Sequence, residues 1–264
     1  MDWDDLHREA AALREERSGT ASSLATNGAQ LLHRALSEMY IGEPEPLREI
    51  AFTIAEARPE VVAIRNVGVS AYRTAREARS GDRMAAAARS VARLARLLGD
   101  TPASLAKRGQ PLLPENATVV TMGRSESVRA TIALAGNRIV ETRDSTSASV
   151  DSRTDLDGAD IVLLGCSAFL ADGSMAADPG TLALVEAAAN RDPVVPVHFF
   201  ADTLKLAPWL PTRSNGQAPL ELDIIPPEYV DHVITEDGIR RPLQLLQAAA
   251  DLAEWWRMLE TPEG

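Results

Sequence analysis

Along the first hundred residues, apolar positions recur every three to four residues. Leu24, Leu31, Leu32, Ala35 and Met39 form one such stripe, and Val61, Ile64, Val67 and Tyr72 form another. That period brings side chains to a single face of an α-helix. "GEPEP" at 42–46 and "RSGDR" at 79–83 interrupt it, and "LLGDTP" near 97–102 reads as the end of the last helix. The pattern predicts four or five antiparallel helices joined by short turns. After "GQPLLPEN" the period changes. "ATVVTM" (117–122), "NRIVET" (137–142), "ADIVLLG" (159–165), "PVVPVHFF" (193–200) and "YVDHVITE" (229–236) are short strand candidates. Those before residue 200 are nearly continuous apolar runs, and helical stretches separate several of the five. This is the signature of a mainly parallel sheet covered on both faces, an α/β arrangement. The closing stretch "RRPLQLLQAAADLAEWWRMLE" reads as one helix, with Leu243, Leu246, Ala249, Ala250, Ala253 and Trp256 along one stripe. The change of period falls near 109–116. It divides the chain into a helical domain, 1–112, and an α/β domain, 113–264.

Bulk composition narrows the class. Hydrophobic content of 45% with 25% charged residues is that of an ordinary globular protein. No apolar run is long enough to cross a bilayer, and the acidic "MDWDDLHREA" start lacks the character of a signal peptide. A single cysteine allows no internal disulfide, which points to the cytoplasm. The net charge of −11 is unevenly spread. Residues 1–113 hold 16 basic and 15 acidic side chains, leaving 11 basic and 23 acidic for the rest. An acidic second half repels phosphate backbones, so neither direct nucleic-acid binding nor a membrane is expected.

In open parallel sheets, ligands gather at the carboxyl ends of the strands. Those ends place a candidate site in the loops 122–127, 141–150, 165–181 and 200–216. "GCSAFLADGSMAADPGT" (165–181) lies between an apolar run and a helical one, where a helix N-terminus can meet an anion. Its Cys166 is either a thiol activated by that helix end or a small buried residue, and no histidine is near it in sequence. In "TMGRSESVRA" (121–130), Arg124 and Ser125 can hydrogen-bond an anion, or Ser125 can simply cap the next helix. A triad of Ser125, His198 and an aspartate lacks the Gly-x-Ser-x-Gly elbow. The four acids of "DSRTDLDGAD" (151–160) lack the closing glutamate of a calcium loop and read as a solvated turn. His7, His33, His198 and His232 are scattered without metal-ligand spacing, so no metal or cofactor is expected. Of Trp255 and Trp256, Trp256 on the apolar stripe is expected in the core and its neighbour at a partner surface.

The order of motifs resembles the translation initiation factor 2B alpha/beta/delta family, which also holds ribose-1,5-bisphosphate isomerase and methylthioribose-1-phosphate isomerase. "RPEVVAIRNVG" (58–68) resembles its Arg-Pro helix. "ETR" (141–143) resembles its Glu-Ser/Thr-Arg-Pro strand end, with Asp144 at the proline. "DIVLLGCSAFLADGSMAADPGT" resembles its Gly-Ala-Asp to Gly-Thr segment, and "IPPEYVDHVITEDG" (225–238) matches most closely. The resemblance implies a helical domain followed by a Rossmann-like domain that forms a homodimer. The stretch between Arg143 and residue 160 is shorter than the family's, which implies one shortened βα unit.

The family's isomerase chemistry does not carry over with the fold. Asn27 of "NGA" stands at the phosphate-binding arginine, Gly123 at the catalytic cysteine, and Ser167 at the catalytic aspartate. Ala177 and Asp178 replace an Asn-Lys pair. A serine hydroxyl and a glycine are no substitute for an acid–base pair. The resemblance therefore implies a non-catalytic regulatory protein with a protein partner. It would hold a sugar phosphate or nucleotide near Arg124, Ser125, Glu141, Arg143, Gly165, Ser167, Gly180 and Thr181. The alternative is an aldose–ketose isomerase of the ribose-1,5-bisphosphate type with a relocated pair, Cys166 with Asp172 or Asp144.

Overall fold

A computed structural model describes residues 1–16, 18–39, 41, 43–136, 139–145, 156–210 and 222–261, along 139–145 for the backbone. Its described residues form two compact units. One takes in Met1–Gly99 and the tail from Asp251; the other takes in Asp100–Leu210 and the stretch that ends at Ala250. No helix among the described residues is long and apolar enough to cross a membrane.

The first unit begins with four helices: α1 (Trp3–Glu15), α2 (Ala21–Glu38), α3 (Pro44–Ala57) and α4 (Val62–Glu77). Asp2 caps α1 by accepting the Asp5 N–H at 2.9 Å, and Thr20 caps α2 through the Ser23 N–H. Each cap satisfies an otherwise unpaired helix amide. The apolar stripes read from the sequence are buried: Leu24, Leu31, Leu32 and Ala35 on α2, and Ile64, Val67 and Tyr72 on α4. Gly28, the glycine of "NGA", sets the spacing of α2 against α4. A Cβ there would stand 2.9 Å from Ile64 Cγ1.

α5 (Arg83–Gly109) departs from the sequence reading, because "LLGDTP" does not end it. Pro102 forfeits one helical hydrogen bond. Thr101, Leu105 and Ala106, which flank it, are almost fully buried, and that burial favours continuing the helix.

The second unit is built on β1 (Ala117–Met122), α6 (Glu126–Ala135), β2 (Ile139–Ser145), β3 (Ile161–Gly165), β4 (Ala168–Leu170), β5 (Met175–Ala177), α7 (Thr181–Ala189), β6 (Val197–Phe200), β7 (Leu206–Ala207), β8 (Asp223–Ile225), β9 (His232–Thr235) and β10 (Gly238–Arg240). The main sheet has the order β10-β9-β6-β3-β1-β2, parallel throughout except for β10. The chain is a mainly parallel α/β fold preceded by helices, as expected. "PVVPVHFF" becomes strand only from Val197, since Pro193 and Pro196 have no N–H for a ladder. One face of this sheet carries Val119, Ile161, Leu163, Phe200 and Ile234, which form a core with Leu105, Leu113, Val128 and Ala135.

A second sheet, β7-β4-β5-β8, was not anticipated. It converts the expected crossover loop 165–181 into a hairpin. The turn carries its own signals: Gly173 lies at φ +89°, and the Asp172 carboxylate accepts the Ser174 N–H at 2.9 Å.

The closing stretch also differs from the single helix expected. It splits into a 3-10 turn at Pro242–Gln244, α8 (Leu246–Ala250) and α9 (Ala253–Glu260). Leu243, assigned to the buried stripe, is 64% exposed. The break falls at Asp251, and α9 belongs to the helical unit rather than to the sheet unit. Trp256 is fully buried there, with its Nε1–H donated to Asn66 Oδ1 at 2.8 Å. Arg48 donates to the Leu259 carbonyl at 3.1 Å, and the buried Arg65 pairs with Glu56 and Glu260. Trp255 is half-buried beneath the Arg73 guanidinium, 5.3 Å from its ring centroid, where a partner surface was expected.

Candidate functional site

The parallel strands run β2-β1-β3-β6-β9, so the chain steps to one side of β1 and then returns to the other. Between β1 and β3 the direction of winding reverses, the place where open α/β sheets hold their ligands. The loop after β1 is Gly123–Ser125, and the loop after β3 is Gly165–Ser167. These are two of the loops in which the sequence placed the candidate site.

Their side chains are turned to structural work. Ser125 is the N-cap of α6, its Oγ accepting the Val128 N–H at 3.4 Å. It packs directly on Gly165, where a Cβ would fall 2.6 Å from Ser125 Cβ. Arg124 is exposed. The Ser167 N–H opens the hairpin by donating to the Ala176 carbonyl at 2.7 Å. Gly180 supplies the left-handed turn, φ 92°, that starts α7. The Thr181 hydroxyl donates back to the Asp178 carbonyl at 2.6 Å. Glu141, Arg143 and Asp144 lie on β2 in register with Thr118, Val120 and Thr121, but their side chains fall outside the described residues. So do 146–150 and 211–216 of the expected loops.

Two carboxylates stand where an anion was expected. Asp223 Oδ2 accepts the Leu182 N–H at 2.9 Å, so a carboxylate from β8 already holds an amide of the α7 N-terminus. Asp178 lies over Gly123, its Oδ2 only 2.5 Å from where a Cβ would be. Gly123 has φ +78°, which side-chain-bearing residues rarely adopt. The backbone thus disfavours a side chain at the position the resemblance matches to a catalytic cysteine, and Asp178 would have to turn aside to admit one.

Cys166 is buried, and burial pushes its thiol up to about 11. The opposing influence of Lys205 is smaller, so the sulfur is a protonated thiol at neutral pH. Cys166 and Asp172 are not brought together, and the alternative partner, Asp144, has its side chain outside the described residues. Cys166 precedes the open end of the hairpin and Asp172 is at its tip, with the length of β4 between them. The Ser174 hydroxyl and amide hold Asp172 below the usual carboxylate range, as a fixed anion rather than a base. In the native protein Cys166 is expected to resist a disulfide exchange reagent at neutral pH and to react completely once denatured. Stoichiometric labelling of the native protein within seconds would show an open thiolate instead.

Past the ends of β6 and β9 lies a group that sequence reasoning missed. Asp202 is 5% exposed, and its Oδ1 has no hydrogen-bond partner. Burial raises it above the ordinary carboxylate range, against the smaller effect of Lys205. Burial likewise raises Glu236, whose carboxylate receives the Thr203 N–H and hydroxyl. Lys205 donates to the Cys166 carbonyl at 2.8 Å. The available signal was an aspartate and a lysine directly after an apolar strand in "FFADTLK". The cluster ties β3, β6 and β9 together at their carboxyl ends.

No family model matches the sequence, and no curated protein sequence matches it. Solved structures do match its fold. Translation initiation factor eIF-2B from Pyrococcus horikoshii OT3 superposes with a TM-score of 0.74 at 20% identity, covering 92% of this chain and 99% of that one. The tetrameric eIF2B-beta2-delta2 complex from C. thermophilum gives 0.78 at 16% identity, covering 95% of each chain. The eIF2B beta structure from Chaetomium thermophilum gives 0.73 at 15% identity, covering 99% and 94%. The chain has the eIF2B-subunit fold over nearly its whole length.

Proposed function

We propose that this chain is a non-catalytic, regulatory protein of the eIF2B-subunit kind, acting through protein contacts as a homodimer or as part of a larger assembly. The observation that carries this reading is the chain's own carboxylates at the switch point. Asp223 occupies an amide of the α7 N-terminus, and Asp178 covers Gly123. A phosphate brought there would meet negative charge instead of free N–H groups and lysine, so a sugar phosphate or nucleotide is disfavoured as the ligand. Burial keeps Cys166 a protonated thiol, which disfavours the thiolate that the isomerase alternative would use as nucleophile or base. The eIF2B relatives supply the analogy for assembly: one of them is a tetrameric complex of two kinds of subunit. Function here rests on that analogy in fold and on the site's charges.

Calorimetric titration with ribose 5-phosphate, ribose-1,5-bisphosphate, AMP and GDP tests the reading. It is expected to show no saturable heat, while native mass spectrometry shows a stable dimer or higher oligomer. Turnover of ribose-1,5-bisphosphate that disappears in Cys166→Ala would reinstate the isomerase. A strictly monomeric protein that binds one of the phosphates would overturn the proposal.

A further inference from the structure

Two histidines far apart in sequence are neighbours in the sheet. We propose that His198 and His232 form a two-imidazole site for a late first-row divalent ion: Zn²⁺, Ni²⁺ or Cu²⁺. They are direct partners across the parallel pair β6 and β9, so both side chains leave the same face. Their ring centroids are 5.1 Å apart at an interplanar angle of 63°. Each ring buries its Nδ1 without a hydrogen-bond partner. His198 is 6% exposed and His232 is half-buried, so the pair reaches solvent past the second ring.

The chemistry suits a cation of that class. Imidazole binds metals as the neutral base, and burial, with His232 beside it, holds His198 below the usual histidine range. Asp231 adds negative charge next to His198, while its Oδ2 accepts the Val197 N–H at 2.8 Å. Nitrogen ligands favour zinc, nickel and copper over the oxygen-seeking magnesium and calcium. No group of three or more candidate ligands occurs among the described residues, so water completes the coordination and the site is open. It stands in the first half of β6 and β9, apart from the switch-point loops at the strands' carboxyl ends. It is independent of the function proposed above.

The test is calorimetric titration of the full-length protein with NiCl₂ at neutral pH, with MgCl₂ as the comparison ion. One saturable nickel site and no magnesium binding are expected. Loss of a mere supporting partner already weakens metal sites about 10–100-fold, so His232→Gln, which removes a direct ligand, is expected to cost at least about tenfold. His198→Gln should do the same. Because His198 is buried, copper EPR on His232→Gln gives a second readout, with nitrogen hyperfine structure falling from two imidazoles to one. Absence of saturable nickel binding in the native protein overturns the proposal. So does nickel affinity or copper hyperfine structure unchanged in His232→Gln, which would place the ion at His7 or His33.

Discussion

Trp256→Ala is expected to destabilise the helical unit more than any other single truncation near the chain's end, by about 3–5 kcal/mol. The indole is fully buried. Its Nε1–H satisfies Asn66 Oδ1 at 2.8 Å, and the Arg65 guanidinium lies 5.1 Å from its ring centroid. Truncation leaves a cavity, removes the hydrogen bond to Asn66 Oδ1, and takes from Arg65 one of its two aromatic neighbours. Melting followed by circular dichroism at 222 nm should show the thermal midpoint fall by roughly ten degrees. Trp256→Phe separates the contributions. It keeps most of the volume but removes the N–H that Asn66 Oδ1 accepts, a lost buried hydrogen bond worth about 0.5–1.5 kcal/mol. A change of less than two degrees in Trp256→Ala would mean that α9 does not pack as described.

That prediction rests on a feature the sequence concealed. A period of 3.6 identified Trp256 as a buried residue on a helix, and it is one. Periodicity says nothing about which core receives the helix. The turn at Asp251 and Leu252 parts α8 from α9, and only the partners Asn66, Arg48 and Arg65 reveal that α9 closes the first unit. Pro102 misled in the opposite direction. A proline inside an apolar stripe reads as a stop, but the burial of Leu105 and Ala106 outweighs one missing hydrogen bond.

Strands that are nearly continuous apolar runs were legible, because both faces of a parallel sheet are covered. The three-residue strands of the second sheet were not, being too short to show a period of two. The site was half legible. Its location follows from topology, and the glycines and turn residues mark it. Asp178 over Gly123, Asp223 at α7, and Asp202 with Lys205 are pairings that only the folded chain brings together. His198 and His232 carry no sequence spacing, because strand register alone makes them neighbours.

Gly165→Ala is expected to be the most damaging single methyl group at the switch point. The added Cβ would lie 2.6 Å from Ser125 Cβ and 2.8 Å from its Oγ, well inside contact distance. Ser125 has little room to retreat, because it caps α6 and its carbonyl accepts the Arg129 N–H at 3.1 Å. Overpacking of this kind costs about 1–3 kcal/mol, and displacing the cap adds about 1 kcal/mol. Chemical denaturation should report the sum as a lower midpoint at unchanged slope. The double variant Gly165→Ala/Ser125→Gly decides what the glycine is for. Removing the serine side chain makes room for the methyl group, so the two changes should couple favourably by about 1–2 kcal/mol. A glycine kept bare for the approach of a ligand's phosphate would behave otherwise. The alanine would then cost little in the free protein, and Ser125→Gly would recover nothing. Strictly additive losses would show that the two loops do not rest on one another and that the space above Gly165 is open. Favourable coupling would show that the loops after β1 and β3 rest on one another and that the space between them is filled by their own side chains.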